Sequence, residues 1–151
     1  MYSELFNSFI QRELGRLEEE LKLFPEEASL WDEREGISNT AGNLALHIAG
    51  NLNHFIGAVL GGTGYIRDRD LEFSAKNIPR SELMLSIEST KRVVAEALAG
   101  ITDEDLKSDY PLEKSFGKVS TSYLLIHLIT HLNYHIGQIN YYRRLGAGGI
   151  I

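Results

Sequence analysis

Two long stretches of this chain, residues 36–66 and 119–142, contain no Asp, Glu, Lys or Arg. A surface helix normally keeps a charged face toward water, so uncharged segments of this length must be covered on more than one side. Each is long enough to span a bilayer. Their polar content argues against that: Asn39, Asn43, Asn51 and Asn53 lie in the first, and Asn133, Gln138 and Asn140 in the second. All five histidines are there as well, His47 and His54 in the first and His127, His131 and His135 in the second. Both segments read as buried helices of a soluble bundle, with no membrane partner.

Apolar residues recur at three- and four-residue spacing through four segments, and strand-like alternation is missing, which predicts an all-α four-helix bundle. The first helix runs from about Tyr2 to Leu23, with Leu5, Phe6, Phe9, Ile10, Leu14, Leu17 and Leu21 inward, a charged opposite face, and Pro25 closing it. The second spans Asn39 to Leu60 behind a Ser38 cap and stops at Gly61 and Gly62. Its inward stripe is Ala41, Leu44, Ala45, Ile48, Leu52, Phe55, Ile56 and Val59. The third follows Pro79, from Ser81 to about Ala99, with Leu83, Ile87, Thr90, Val94 and Ala97 inward. The fourth starts at a Ser120 cap, buries Leu124, Leu128, Ile136, Ile139 and Tyr142, and ends on Arg143 and Arg144 beside the negative pole of the helix dipole. The terminal GAGGII reads as a loose or docked tail. The three connections, near 24–38, 61–80 and 100–119, exceed the usual bundle loop and permit crossovers.

A chain of 151 residues suits a single domain covering 1–151, with a core large enough to need no staple. It has no cysteine, which excludes disulfides, thiolate metal sites and a protein-borne thiol nucleophile, so any metal must take nitrogen and oxygen ligands. A net charge of -6 argues against a nucleic-acid partner. The first residues, MYSELFNSFIQRELGRLEEE, lack a basic start, an apolar run and a small-residue cleavage site, so the expected location is cytoplasmic.

The histidines carry the chemistry. Imidazole is the commonest metal-ligating side chain. His131 and His135, four apart in HLNYH, face the same side of a helix with alpha carbons about 6 Å apart and can share an ion. His127 and His135 are about 12 Å apart along the axis and cannot. A third ligand must therefore come from another helix. If the second and fourth helices are antiparallel, His47 lies level with His131 and His135, while His54 lies level with His127. One layer would be a three-histidine site with open positions. The other would be a hydrogen-bonded pair or an outer shell, to which Asn43, Asn51 and Gln138 also belong as candidates. Against this stands a plain structural reading, in which the histidines, Asn43, Asn51 and Gln138 are hydrogen-bonded polar groups of the core.

Other motifs are weaker. GGTGYI ends a helix and lacks the continuation that phosphate cradling needs. RDRD at 67–70 reads as self-paired surface charge, with a lesser option of gripping an anionic substrate. The histidine helices contain no carboxylate for a di-iron site, and no general base is evident. Tyr134, Tyr141 and Tyr142 read as core or rim residues.

These segments, LALHIAGNLNHFIGAVL at 44–60, RDRDLEF at 67–73 and HLITHLNYHIGQINYYRR at 127–144, resemble the DinB-like superfamily of bacterial four-helix bundles. The resemblance runs through essentially the whole chain, and RDRD-x-EF resembles a less-studied branch. It implies an up-down-down-up, frequently dimeric bundle with a divalent metal, nickel or zinc foremost, on His47, His131 and His135. It also implies thiol-dependent S-transferases or hydrolases, with a low-molecular-weight thiol cosubstrate activated by the metal. The expectation is a metal-dependent enzyme acting on a small molecule, with catalytic residues unassigned. The alternatives are a non-catalytic metal-binding or purely structural bundle, and a dimeric module that binds a small ligand. A homodimer is expected because the uncharged helices cannot all be hidden in one thin bundle.

Overall fold

The computed structural model describes residues 2–115 and 117–146, so most of the expected tail lies outside the described residues. The chain forms α1 (Tyr2–Lys22), a 3-10 turn (Glu27–Trp31), α2 (Ala41–Leu52), α3 (Arg69–Ser74), α4 (Arg80–Ala99), α5 (Asp103–Lys107) and α6 (Thr121–Gly146). Helices α1, α2, α4 and α6 are the four periodic segments of the sequence, and the shorter elements occupy its long connections. Among the described residues the only β-pairings are isolated bridges.

Side-chain contacts fix the directions. Asn133 donates to Glu13 at 2.9 Å and Asn140 to Glu20 at 2.7 Å, so α1 and α6 advance together and run parallel. Arg80, opening α4, donates to the carbonyl of Phe24 just beyond α1 at 2.7 Å, while Gln11 reaches the Lys91 carbonyl at 2.8 Å; these two helices are antiparallel. Asn53 bonds Thr90 at 2.8 Å, and farther along, Gly57 faces Val93 and Gly61 faces Ala97, so the second segment runs parallel to α4. A Cβ on either glycine would collide with its α4 neighbour, which is why small residues stand there. The Tyr142 hydroxyl, late in α6, donates to the Asp32 carbonyl before α2, whereas Phe55 after α2 receives the hydroxyl of Tyr110, ahead of α6. Thus α2 and α6 are antiparallel and the bundle is up-down-down-up.

Most of the expected core is present: Ile10, Leu14, Leu17 and Leu21 of α1 are fully buried, with Ile48, Leu52, Leu83, Ile87, Val94, Leu124, Leu128, Ile136 and Ile139 packed beside them. Three expectations change. Leu5 and Phe9 are exposed, because the buried stripe of α1 is narrower than its apolar pattern. The charged side of α1 is not all solvated: Glu13 is fully buried and accepts from Arg12, Arg16 and Asn133. The second helix begins at Ala41, not Asn39, since Thr40 rather than Ser38 supplies the capping oxygen to the Asn43 amide at 3.2 Å. Beyond Leu52 the same apolar segment continues as a wider π turn, Asn53–Ala58, in which the Val59 amide reaches back to the carbonyl of His54.

Candidate metal centre

The antiparallel pairing of α2 with α6 brings His47 level with His131 and His135. The His47 Nε2 lies 3.3 Å from the His131 Nε2, which in turn lies 3.0 Å from the His135 Nε2. One ring nitrogen from each of the three can be chosen so that all lie within 4.8 Å of one another. His47 is buried and the other two are half-buried. The rings of His131 and His135 stand at 90° to one another, and those of His47 and His135 at 89°, so the nitrogens converge without stacking the rings.

Hydrogen bonds on the far side of two rings decide which nitrogen holds the proton. The His47 Nδ1 faces the Glu72 carboxylate at 3.0 Å, a group that can only accept, so His47 donates from Nδ1 and turns an unprotonated Nε2 inward. Arg67 also approaches this Nδ1, at 3.2 Å, but its Nη2 already donates to Glu72 Oε1 at 2.8 Å. The carboxylate is the closer and the charged acceptor. His135 Nδ1 donates to the Gln138 amide oxygen at 2.7 Å, while the Gln138 amide nitrogen donates to the Tyr134 hydroxyl at 3.3 Å. Lone pairs of His47 and His135 therefore point into one space.

Electrostatics agrees. Burial, then the neighbouring His135, His47 and His127 and the cationic Arg67, pulls His131 down to about 3. Burial likewise lowers His47 and His135, against the opposing pull of Glu72 on the first and Gln138 on the second. All three are neutral imidazoles at pH 7, the protonation state that ligates metal. Nitrogens held about 2.0–2.1 Å from a common ion at tetrahedral or octahedral angles are themselves about 2.8–3.4 Å apart. The donor set and its two short separations fit one divalent ion, and the three-histidine group could hold one.

Glu72 was not legible as part of this site. In sequence RDRD at 67–70 reads as self-paired surface charge; Asp68, Arg69 and Asp70 are indeed exposed, but Arg67 is half-buried and pairs with Glu72, outside that stretch. Asp68 caps α3 through the Leu71 amide, and Glu72 is buried, its two oxygens taken by Arg67 Nε and Nη2, each at 2.8 Å. The carboxylate occupies the space that a side chain at Gly50 would fill, so a glycine one turn after His47 lets α3 press against α2. Asn43 secures this docking by donating to the carbonyls of Glu72 at 3.0 Å and Ala75 at 2.8 Å. Asn43 thus bears on Glu72 through the backbone of α3. The acidic partner missing from both histidine helices comes from the connection between α2 and α4.

The remaining candidates divide. Gln138 orients His135 directly. Asn51 is buried and lines the same pocket as the three histidines. His127 is exposed rather than buried, lies parallel to His131 with ring centroids 6.2 Å apart, and also lines that pocket. His54 packs edge-on against Phe55 in the π turn. Tyr142 is a core residue, with Arg34 over its ring at 3.7 Å, whereas Tyr134 and Tyr141 are exposed.

No helix among the described residues is long and apolar enough to cross a membrane. Comparison with curated proteins gives no match. A family model does match, over residues 6–147, which takes in α1 from its second turn, every later element through α6 and all of the residues around the three histidines. On that match the chain belongs to the family described as Protein of unknown function (DUF1572).

Proposed function

We propose that the protein is a metal-dependent enzyme of the DinB-like kind, in which His47, His131 and His135 hold one divalent ion, zinc or nickel, facing a solvent-filled pocket. The observation that carries this reading is the convergence of ring nitrogens whose protons are held on the far side by Glu72 and Gln138. The His131 Nε2 carries at most one proton to share with the facing nitrogens at 3.0 and 3.3 Å, whereas a cation among the three accepts a lone pair from each.

Bound there, a divalent ion supplies Lewis acidity toward water or a thiol. The chain's own residues do the rest. Glu72 keeps His47 in the ligating tautomer and raises its basicity, Arg67 holds the Glu72 side chain in place through two hydrogen bonds, and Gln138 sets the rotation of His135. With no cysteine in the chain, the nucleophile must come from outside it, a low-molecular-weight thiol for S-transfer or water for hydrolysis of a small molecule.

The test compares two variants of the protein prepared without a histidine tag. His135→Ala should lose bound metal and stay folded. His127→Ala should retain about one ion per chain. Wild-type protein that contains no metal and takes up neither zinc nor nickel on titration overturns the proposal, as does metal loss confined to His127→Ala. Unfolding of His135→Ala together with metal loss would indicate a structural ion instead.

A further inference from the structure

The pocket over the three histidines has a volume of about 500 Å³, and the residues lining it include Arg67, Arg69 and Lys114 but no Asp or Glu. This is a local reversal of sign, since the chain as a whole carries a net charge of -6. Arg67 is neutralised by Glu72. Arg69 and Lys114 are in no ion pair among the described residues. Each lies instead over an aromatic ring of the same pocket. The Lys114 Nζ is 3.6 Å from the centre of Phe55, and the Arg69 guanidinium carbon is 5.1 Å from the centre of Phe73. Phe73 in turn contacts the His47 ring, with centroids 4.8 Å apart.

An aromatic face steadies a cation without cancelling its charge and leaves N–H donors available to a ligand. A concave surface lined by charges of one sign focuses the field within it. Arg69 enters from α3 and Lys114 from the connection that follows α5, so the two cations reach the pocket from separate segments. The same pocket is lined by the two apolar rings and the three-histidine group.

We infer that this pocket binds a small organic anion, its carboxylate or phosphate group held by Lys114 and Arg69 and its apolar body set against Phe55 and Phe73. The inference names the substrate class of the proposed metal site, and rests on that reading for the reaction, though binding of the anion can be measured without metal.

The experiment is calorimetric titration of metal-free wild-type protein, Lys114→Met, Arg69→Met and the double variant with benzoate, phenyl phosphate and the neutral benzyl alcohol. Zinc stoichiometry is measured on each. Wild type should bind at least one of the two anions roughly tenfold or more tighter than the alcohol, the scale of a charge-assisted hydrogen bond. Each single variant should lose part of that preference and the double variant nearly all, with zinc uptake unchanged. The tighter of the two anions identifies the head group. Equal binding of anions and alcohol by wild type, or an undiminished preference in the double variant, overturns the inference. Zinc uptake without any anion preference refutes it alone, whereas anion preference in a protein that takes up no zinc refutes only the metal reading.

Discussion

Replacing Glu72 by Gln removes one charge and turns one acceptor oxygen into a donor at the point where three donors converge. In the native site Oε1 receives His47 Nδ1 and Arg67 Nη2, and Oε2 receives Arg67 Nε at 2.8 Å. A glutamine keeps the shape but can satisfy only one side. If its oxygen faces His47, its amide nitrogen opposes Arg67 Nε donor to donor, inside a site where the Arg67 side chain is 12% exposed. Losing an outer partner of a ligating histidine costs about 10- to 100-fold in metal affinity, or about 1.4–2.8 kcal/mol. The uncompensated guanidinium adds a fold penalty below the roughly 3–5 kcal/mol of a fully broken buried pair, because one oxygen survives. Zinc affinity by chelator competition and urea unfolding of the metal-free protein separate the two effects. The expected result is weaker zinc binding in folded Glu72→Gln. Unaltered zinc affinity alongside reduced stability would refute the reasoning, since Glu72 would then clip α3 to the bundle without tuning His47.

Gly50→Ala should act on the same group from the other side, since the added Cβ would overlap the Glu72 carboxylate; we expect a loss of about 1–3 kcal/mol in urea unfolding together with weaker zinc binding, and a neutral substitution would mean that α3 is not held against α2. His131 should stay neutral well below the ordinary histidine range, so its ring protons in the metal-free protein should not titrate between pH 7 and pH 5 by NMR; a midpoint near pH 6.5 would contradict the site's electrostatics. The sign for stability follows: the unfolded chain takes up a proton on His131 below about pH 6.5 and the folded chain only near 3, so this residue's contribution is fully present above 6.5 and falls as pH drops through that window. The exposed side of α6 presents Tyr123, Ile126, Tyr134, Tyr141 and Leu145 at helical spacing, so a homodimer is expected, and Tyr141→Glu should dissociate it. Light scattering that gives the chain mass of 17.0 kDa at micromolar concentration would count against the dimer.

Legibility in this sequence follows how locally each feature is encoded. His131 and His135 are tied by helix geometry, so their convergence needs only α6 to be a helix. Adding His47 needs one more fact, the antiparallel pairing of α2 with α6, which came from family resemblance and which the contacts at Tyr142 and Phe55 bear out. Arg67 and Glu72 had no such handle. They lie in a connection without helical periodicity long enough to orient it, and a charged RDRD stretch resembles a solvated surface until something covers it. What covers it is set from a distance: the missing side chain of Gly50 and the two carbonyls held by Asn43 decide that α3 lies on α2. The burial of Glu13 was hidden for the same reason, because its partner Asn133 stands on another helix of an uncharged segment. In each case the charge partner is close in sequence, Arg67 for Glu72 and Arg12 and Arg16 for Glu13, but the residue the acid is buried against, Gly50 or Asn133, is far away. An uncharged helix that carries Asn or His therefore predicts that some other segment supplies the carboxylate, and a search of the connections for an Arg and a Glu within a few residues would have pointed to Arg67 and Glu72.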